Sequence, residues 1–281
     1  MLLHKSKISG FADEIHKELD VQIQTLQKLG QNYMEFRSAD GLGVADYSIE
    51  QIREVKRKLD ASGIKVSALG SPIGKIPITK PFEPHFELLK HVVSLAKELD
   101  TRYIRMFSFF IPSGENADQY QGEVYKRMRQ MVDYAKEQDV VLLHENEKDI
   151  YGDSKERCRN LMEEFYGENF KCIFDFANFI QCGEDTLKAY ELLKPYITYV
   201  HVKDAKQSDG EVVLPGHGDG NLSKIFASLE KEGYQGFLSL EPHLVDFAQL
   251  KNLENSVVKK KMSDGATAYE MAYKELKKLL S

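Results

Sequence analysis

Cysteine is scarce in this chain. The three cysteines, Cys158, Cys172 and Cys182, form no Cys-x-x-Cys pair. That excludes a disulfide framework and a zinc ribbon, and it fits a reducing, cytoplasmic setting. Long apolar runs are also missing. None approaches the ~20 residues that cross a bilayer, so no membrane partner is expected, and residues 1–7 lack the apolar core of a secretory signal. Basic charge is not in excess. Lys plus Arg number 38 against 44 Asp plus Glu, a formal charge of −6, and a chain without a basic block is a poor binder of duplex nucleic acid. No Gly-x-Gly-x-x-Gly turn follows a strand-like run, so a dinucleotide fold has no support. No low-complexity linker divides the chain, and the run Lys259-Lys260-Lys261 reads as solvated surface.

What is present is a regular alternation. Short β-rich runs fall at 7–12, 33–36, 64–69, 103–107, 140–143, 172–175, 197–201 and 236–241. Amphipathic stretches separate them, with apolar residues three or four apart: Ile15, Leu19, Ile23 and Leu26 in the first, and Ile49, Ile52, Val55 and Leu59 in the second. Ser48 and Gln51 have the spacing of a capping box, Gly30 and Gly63 supply stops, and Pro84 suits a first helical turn. The last helix is expected over roughly 267–280. Strands alternating with helices imply parallel pairing. Eight such units in 281 residues imply an α/β fold, a (β/α)8 TIM barrel forming one domain over 1–281. An open doubly wound sheet is the runner-up.

Barrel enzymes carry their chemistry at the C-terminal ends of the strands. Glu145, Asp175, His201 and Glu241 stand at the ends of strands five, six, seven and eight. Each alone could be an ordinary turn or helix cap. Four in register after consecutive strands point to one divalent metal ion, with oxygen-rich ligation leaning to Mn or Mg and the histidine keeping Zn and Co open.

The text around these positions resembles the xylose isomerase-like barrels, also called sugar phosphate isomerases/epimerases. The matching segments are 142–146 (Leu-Leu-His-Glu-Asn), 174–178 (Phe-Asp-Phe-Ala-Asn), 200–204 (Val-His-Val-Lys-Asp) and 238–241 (Leu-Ser-Leu-Glu). The loop 216–220 (Gly-His-Gly-Asp-Gly) matches as well, and the resemblance spans essentially the whole chain. It implies that Glu145, Asp175, His201 and Glu241 hold one divalent metal and that Glu145 and Glu241 also move protons. The chemistry agrees: shifting a carbonyl along a sugar, or inverting the carbon beside it, removes a weakly acidic C–H proton, and a cation stabilises the resulting enediolate. One departure stands out. Many epimerases of the family carry histidine three residues after the strand-six aspartate, where this chain has Asn178, an amide that hydrogen-bonds but does not titrate.

Further substrate-binding candidates are Lys203, Asn178, Glu147, His217, Arg105, Lys75 and Glu35. Lys203 and Glu147 share a strand face with His201 and Glu145, so Lys203 could polarise a carbonyl or lie on the surface. Glu35 could reach substrate or cap a loop, and Arg105 could meet substrate or form an ion pair in the barrel. Lys75 could meet a phosphate or carboxylate from a Pro/Gly turn, and His217 sits in a Gly-rich loop. His144 should face away from Glu145 and be structural; His4, His16, His85 and His91 lie in the N-terminal tail or helical stretches and are not expected to be ligands; His243 follows Glu241 after Pro242. The cysteines read as packed small hydrophobes. The expected function is a metal-dependent sugar or keto-polyol isomerase or epimerase with a small carbohydrate-like substrate, with self-association into a homo-oligomer allowed. The alternatives are a keto-polyol dehydratase of inosose type, an endonuclease IV-like phosphodiesterase, and a non-catalytic sugar binder.

Overall fold

The computed structural model describes residues 6–245 and 262–281. The Lys259–Lys261 run falls outside them. Eight parallel strands form one sheet: β1 (Lys7–Gly10), β2 (Tyr33–Phe36), β3 (Lys65–Leu69), β4 (Tyr103–Met106), β5 (Val141–Glu145), β6 (Phe170–Asp175), β7 (Ile197–Val202) and β8 (Phe237–Leu240). Neighbours in sequence pair from β2 through β8, and β8 pairs with β1. A parallel bridge from Phe11 to Glu35 joins β1 to β2. This is the expected (β/α)8 barrel, because pairing of the first strand with the last removes the open-sheet alternative.

The helices cover the outside: α1 (Leu19–Leu29), α2 (Ile49–Ser62), α3 (Glu83–Glu98), α4 (Gln121–Glu137), α5 (Lys155–Phe165), α6 (Phe176–Gln181), α7 (Thr186–Leu193), α8 (Leu222–Lys231) and α9 (Gly265–Leu279). Ser48 and Gln51 do form the reciprocal capping box that starts α2, and Gly30 and Gly63 end α1 and α2 in the left-handed region that glycine tolerates. Several strand ends shift by a residue or two, and two helix starts depart from the sequence reading because of capping. α9 begins two residues early because Asp264 Oδ2 accepts the Thr267 N–H at 2.9 Å. The short helix α6 follows β6 at once, because the Asp175 side chain caps it.

Strand alternation sorts the side chains into two layers. Leu142, His144, Phe174, Val200, Val202, Leu238 and Leu240 face the helices and are buried. The opposite set faces the barrel axis. It includes the apolar plug Val141, Leu143, Ile173 and Tyr199, and above it Glu145, Asp175, His201, Lys203 and Glu241 at the C-terminal mouth. The apolar plug lies below the polar groups at the mouth, with Glu35, Ser239 and the Tyr199 hydroxyl between.

Candidate functional site

Glu145, Asp175, His201 and Glu241 are all buried, and one ligand atom from each lies within 4.8 Å of the others. His201 Nδ1 is 2.8 Å from Glu145 Oε1, 3.4 Å from Glu241 Oε2 and 3.9 Å from Asp175 Oδ2. The other ring nitrogen, Nε2, points down the barrel to Glu35, 3.2 Å from its Oε2. Glu35 Oε2 also accepts from Ser239 Oγ at 2.7 Å and Tyr199 OH at 3.0 Å. A carboxylate beneath the ring thus fixes Nε2–H and leaves Nδ1 at the mouth, where it donates to Glu145 Oε1 and would offer its lone pair to a cation once that proton is displaced. Glu35, expected as a substrate or loop residue, is a support under His201 and is fully buried.

Asp175 divides its two oxygens between two tasks. Oδ1 accepts the Asn178 N–H at 2.8 Å and starts α6. Oδ2 is buried and accepts no hydrogen bond from any described residue, and Glu145 Oε2 is in the same condition. Buried carboxylate oxygens are rarely left so, because the desolvation penalty is large. Six buried carboxylates gather here, those of Asp13, Glu14, Glu35, Glu145, Asp175 and Glu241, with three fixed cations, Arg37, Arg105 and Lys203. A divalent cation would reduce that negative excess and complete the two orphaned oxygens. The residues present therefore fit one oxygen-rich divalent ion.

The electrostatics follow from this crowding. Burial pushes Asp175 up to about 7, with Lys203 opposing and Glu145 and Glu241 adding to the rise. Burial also works against ionised Glu145, but His201 and Arg105 outweigh it and hold that carboxyl below its usual range. Glu241 is held well below, because Lys203, His243 and His201 overcome its burial. His201 is raised well above an ordinary imidazole. Burial opposes this, and Glu145 and Glu35 prevail.

The remaining candidates divide. Lys203 is buried with Nζ 3.2 Å from Glu241 Oε2 and 3.4 Å from Asp175 Oδ2, so it joins the cluster. Asn178 donates from Nδ2 to Glu145 Oε1 at 3.3 Å and to the Asn146 carbonyl at 2.9 Å, which orients Glu145. Arg105 Nη1 lies 3.3 Å from Glu145 Oε2 and 3.7 Å from Glu241 Oε1. Lys75 and Glu147 pair with each other at 3.0 Å, with the ammonium over the Phe107 ring. His217 does not join the cluster. Its side chain is 55% exposed and meets Glu275 on α9 at 3.3 Å. The loop that carries it is fastened instead by buried Asp204, which accepts the N–H groups of Ala205, Gly216, Gly218 and Gly220 at 2.9 to 3.0 Å. His144 faces the helices, with Nε2 3.0 Å from Ser108 Oγ, as alternation requires.

Three neighbours escaped the sequence reading: Asp13, Glu14 and Arg37. Arg37 Nη1 donates to Glu241 Oε1 at 3.0 Å, while Nε and Nη2 hold Asp13 at 2.9 and 3.1 Å and Nη2 meets Glu14 at 3.3 Å. A signal existed, since Arg37 lies two residues after inward-facing Glu35. His243 Nε2 is 3.2 Å from Glu241 Oε1 and 3.5 Å from Glu14 Oε1. Burial raises Glu14 to about 7 despite His243 and Arg37.

The sequence model of the xylose isomerase-like TIM barrel family matches residues 23–259. A 3-dehydroshikimate dehydratase of Bacillus anthracis is 24% identical over 134 residues, 48% of this chain and 48% of that protein, so the match spans about half of the relative's length. Among solved structures, an L-ribulose 3-epimerase superposes with a TM-score of 0.78 at 17% identity, covering 98% of this chain and 94% of that one. The IolI protein, solved with a bound zinc atom, superposes with a TM-score of 0.74 at 17% identity, covering 98% of each chain. At such identity these two likenesses are of fold.

Proposed function

This chain belongs to the xylose isomerase-like TIM barrel family, and we propose that it is a divalent-metal-dependent isomerase or epimerase of a small sugar or related keto-polyol. The observation that carries the reading is the convergence of Glu145, Asp175, His201 and Glu241, with two buried carboxylate oxygens that accept no hydrogen bond from any described residue. These four residues would hold one Mn, Mg, Co or Zn ion. A cation there supplies positive charge where negative charge grows on a substrate oxygen.

The chain's own groups do the rest. Glu145 and Glu241 are both held in the basic form, so either can take a proton from the carbon beside a carbonyl. Removal by one and return by the other inverts that carbon. Return by the same carboxylate to the adjacent carbon moves the carbonyl instead. The Lys203 ammonium, beside both Glu241 and Asp175, donates to a substrate oxygen. Asn178 holds Glu145 in place, and Glu35 holds His201. Dehydration is the second reading. It is favoured by the dehydratase among the relatives and by the same lysine, which can donate a proton to a departing hydroxyl.

The test is a panel of ketoses and inososes incubated with Mn, Co, Mg and Zn in heavy water and read by mass spectrometry. Deuterium entry at the carbon beside the carbonyl is expected, and it should be lost in Glu145→Gln and Glu241→Gln. Loss of water from the product would select the dehydratase reading. A protein that binds no divalent ion on titration and exchanges no C–H proton would refute the proposal.

A further inference from the structure

A cavity of about 200 Å³ opens beside the four-residue cluster, lined among others by Arg37, Val44, Asp46, Gly70, Pro72 and Arg105. Its inner wall carries an unusual group. Arg105 is 2% exposed, and its side chain makes no hydrogen bond to any described residue. The nearest carboxylate oxygens, at 3.3 and 3.7 Å, lie outside hydrogen-bonding geometry. The guanidinium is nevertheless held firmly between aromatic groups, 5.0 Å from the centroids of both Phe11 and Phe107. A guanidinium offers five N–H donors in a fixed planar fork; here the buried Nε has no acceptor among the described residues, and Nη1 has only the ion-pair contacts to Glu145 and Glu241. Arg37, on the same wall, is in the opposite condition, since Asp13, Glu14 and Glu241 already take its donors.

The geometry points to Arg105 as the recognition group for a carboxylate carried by the substrate, so that the substrate is a small keto-polyol acid rather than a neutral sugar. This rests on the proton-transfer reading of the neighbouring cluster. A planar fork with free donors matches the two oxygens of a carboxylate. A phosphate dianion fits less well. Arg105 is the one guanidinium on the wall with donors to spare, while Asp46 at the rim and Glu145 and Glu241 behind it oppose a second negative charge. Size argues the same way, because the cavity is smaller than the roughly 300–1,000 Å³ of sites for drug-sized ligands. Arg105 Nη1 is 3.3 Å from Glu145 Oε2, so the carboxylate and the carbon that Glu145 deprotonates lie a few bonds apart in one compact molecule.

The experiment uses quinate, a cyclohexane polyol acid, and its neutral primary amide as matched probes. Isothermal titration compares them on wild-type protein, Arg105→Gln and Arg105→Lys, each with and without Mn²⁺. Wild type should bind the acid about tenfold or more tighter than the amide, the gain of a charge-assisted bidentate pair. Arg105→Gln should lose that preference while keeping its Mn²⁺ stoichiometry, and Arg105→Lys should keep part of it. Equal binding of acid and amide by wild type, failure of wild type to bind the acid, or an unchanged preference in Arg105→Gln would overturn the inference. So would tighter binding of inorganic phosphate than of the acid. If Arg105→Gln fails to fold, the acid-to-amide ratio in wild type and Arg105→Lys decides. Failure to bind Mn²⁺ is read separately and counts against the metal reading, because the acid-to-amide ratio is also measured without it.

Discussion

Glu35→Gln isolates the group beneath His201 without touching any of the four converging ligands. In the native barrel, Glu35 Oε2 receives Ser239 Oγ at 2.7 Å, Tyr199 OH at 3.0 Å and His201 Nε2 at 3.2 Å. Glutamine keeps the shape but exchanges one acceptor oxygen for an NH2 donor. Its single carbonyl oxygen cannot serve all three donors, and its NH2 turns toward at least one of them. The imidazole then loses the charge that fixes Nε2–H and keeps Nδ1 turned to the space shared with Glu145, Asp175 and Glu241. Replacing such a supporting partner costs roughly 10–100-fold in metal affinity, or about 1.4–2.7 kcal/mol. The loss of both charge and acceptor places this variant in the upper half of that range. Competition of Mn²⁺ and Zn²⁺ against a fluorescent chelator measures it, with circular dichroism confirming that the variant is folded. Nitrogen-15 shifts of the His201 ring report the tautomer directly. A folded Glu35→Gln protein that binds both ions within twofold of wild type would refute the argument that this carboxylate poises His201.

Three other outcomes follow from the same structure. Burial raises Asp175 to about 7, and Glu145 with Glu35 raises His201 well above the ordinary imidazole range against its burial; both hold protons that a cation must displace. Affinity for Mn²⁺ should therefore rise as pH increases through about 7, by about tenfold per unit for each proton released, and pH-independent titrations between about pH 6 and 8 would count against it. Gly74→Ala should cost about 4 kcal/mol or more, because φ is +86° and a Cβ would lie 1.9 Å from the Phe107 carbonyl oxygen; a melting curve like that of wild type would contradict this. Asp204→Asn turns an amide donor toward backbone N–H groups that now share two carboxylate oxygens, at an expected cost of about 3 kcal/mol. Limited proteolysis should then cut within the loop 206–221, and an unchanged digestion pattern would show that the clamp is dispensable.

The barrel was legible because its causes are local. Period-two runs such as 197–201 and stripes such as Ile49, Ile52, Val55 and Leu59 each depend on a few adjacent residues, and eight repeats leave little choice of topology. Alternation then carried real information about direction: it set Glu145 and His144 on opposite faces, and put Lys203 with His201. Less legible was anything that depends on which strand sits across the barrel. Glu35 and His201 are 166 residues apart and meet through closure of the ring. The Arg37 network with Asp13, Glu14 and Glu241 has the same origin. The place of His217, outside the cluster beside Glu275, was hard to read for a related reason. A Gly-rich loop has no period, and what fixes it here is one carboxylate, Asp204, gripping its backbone.

Asp175 shows why the choice between helix cap and metal ligand is a false one for an acid that follows a strand. A cap needs one acceptor oxygen, and a carboxylate has two. Oδ1 starts α6 by accepting from Asn178, and the rigid geometry of that cap aims Oδ2 into the space shared with Glu145, His201 and Glu241. Asn178, positioned by the same turn, reaches back to Glu145. The residue where many epimerases carry a titratable histidine thus serves here to orient Glu145. The neighbouring group of Glu14, Glu241 and His243 invites a different conclusion, because its ligand atoms also lie close together. Yet the Arg37 guanidinium already stands against Glu14 and Glu241 there, and a guanidinium stays charged at any working pH. A second divalent ion would have to displace a fixed cation. On the proposed reading, the acids would be balanced by one exchangeable charge at the four-residue cluster and one covalently attached charge beside it. That arrangement suits proton transfer at a carbonyl compound better than the multi-metal hydrolysis of a phosphodiester.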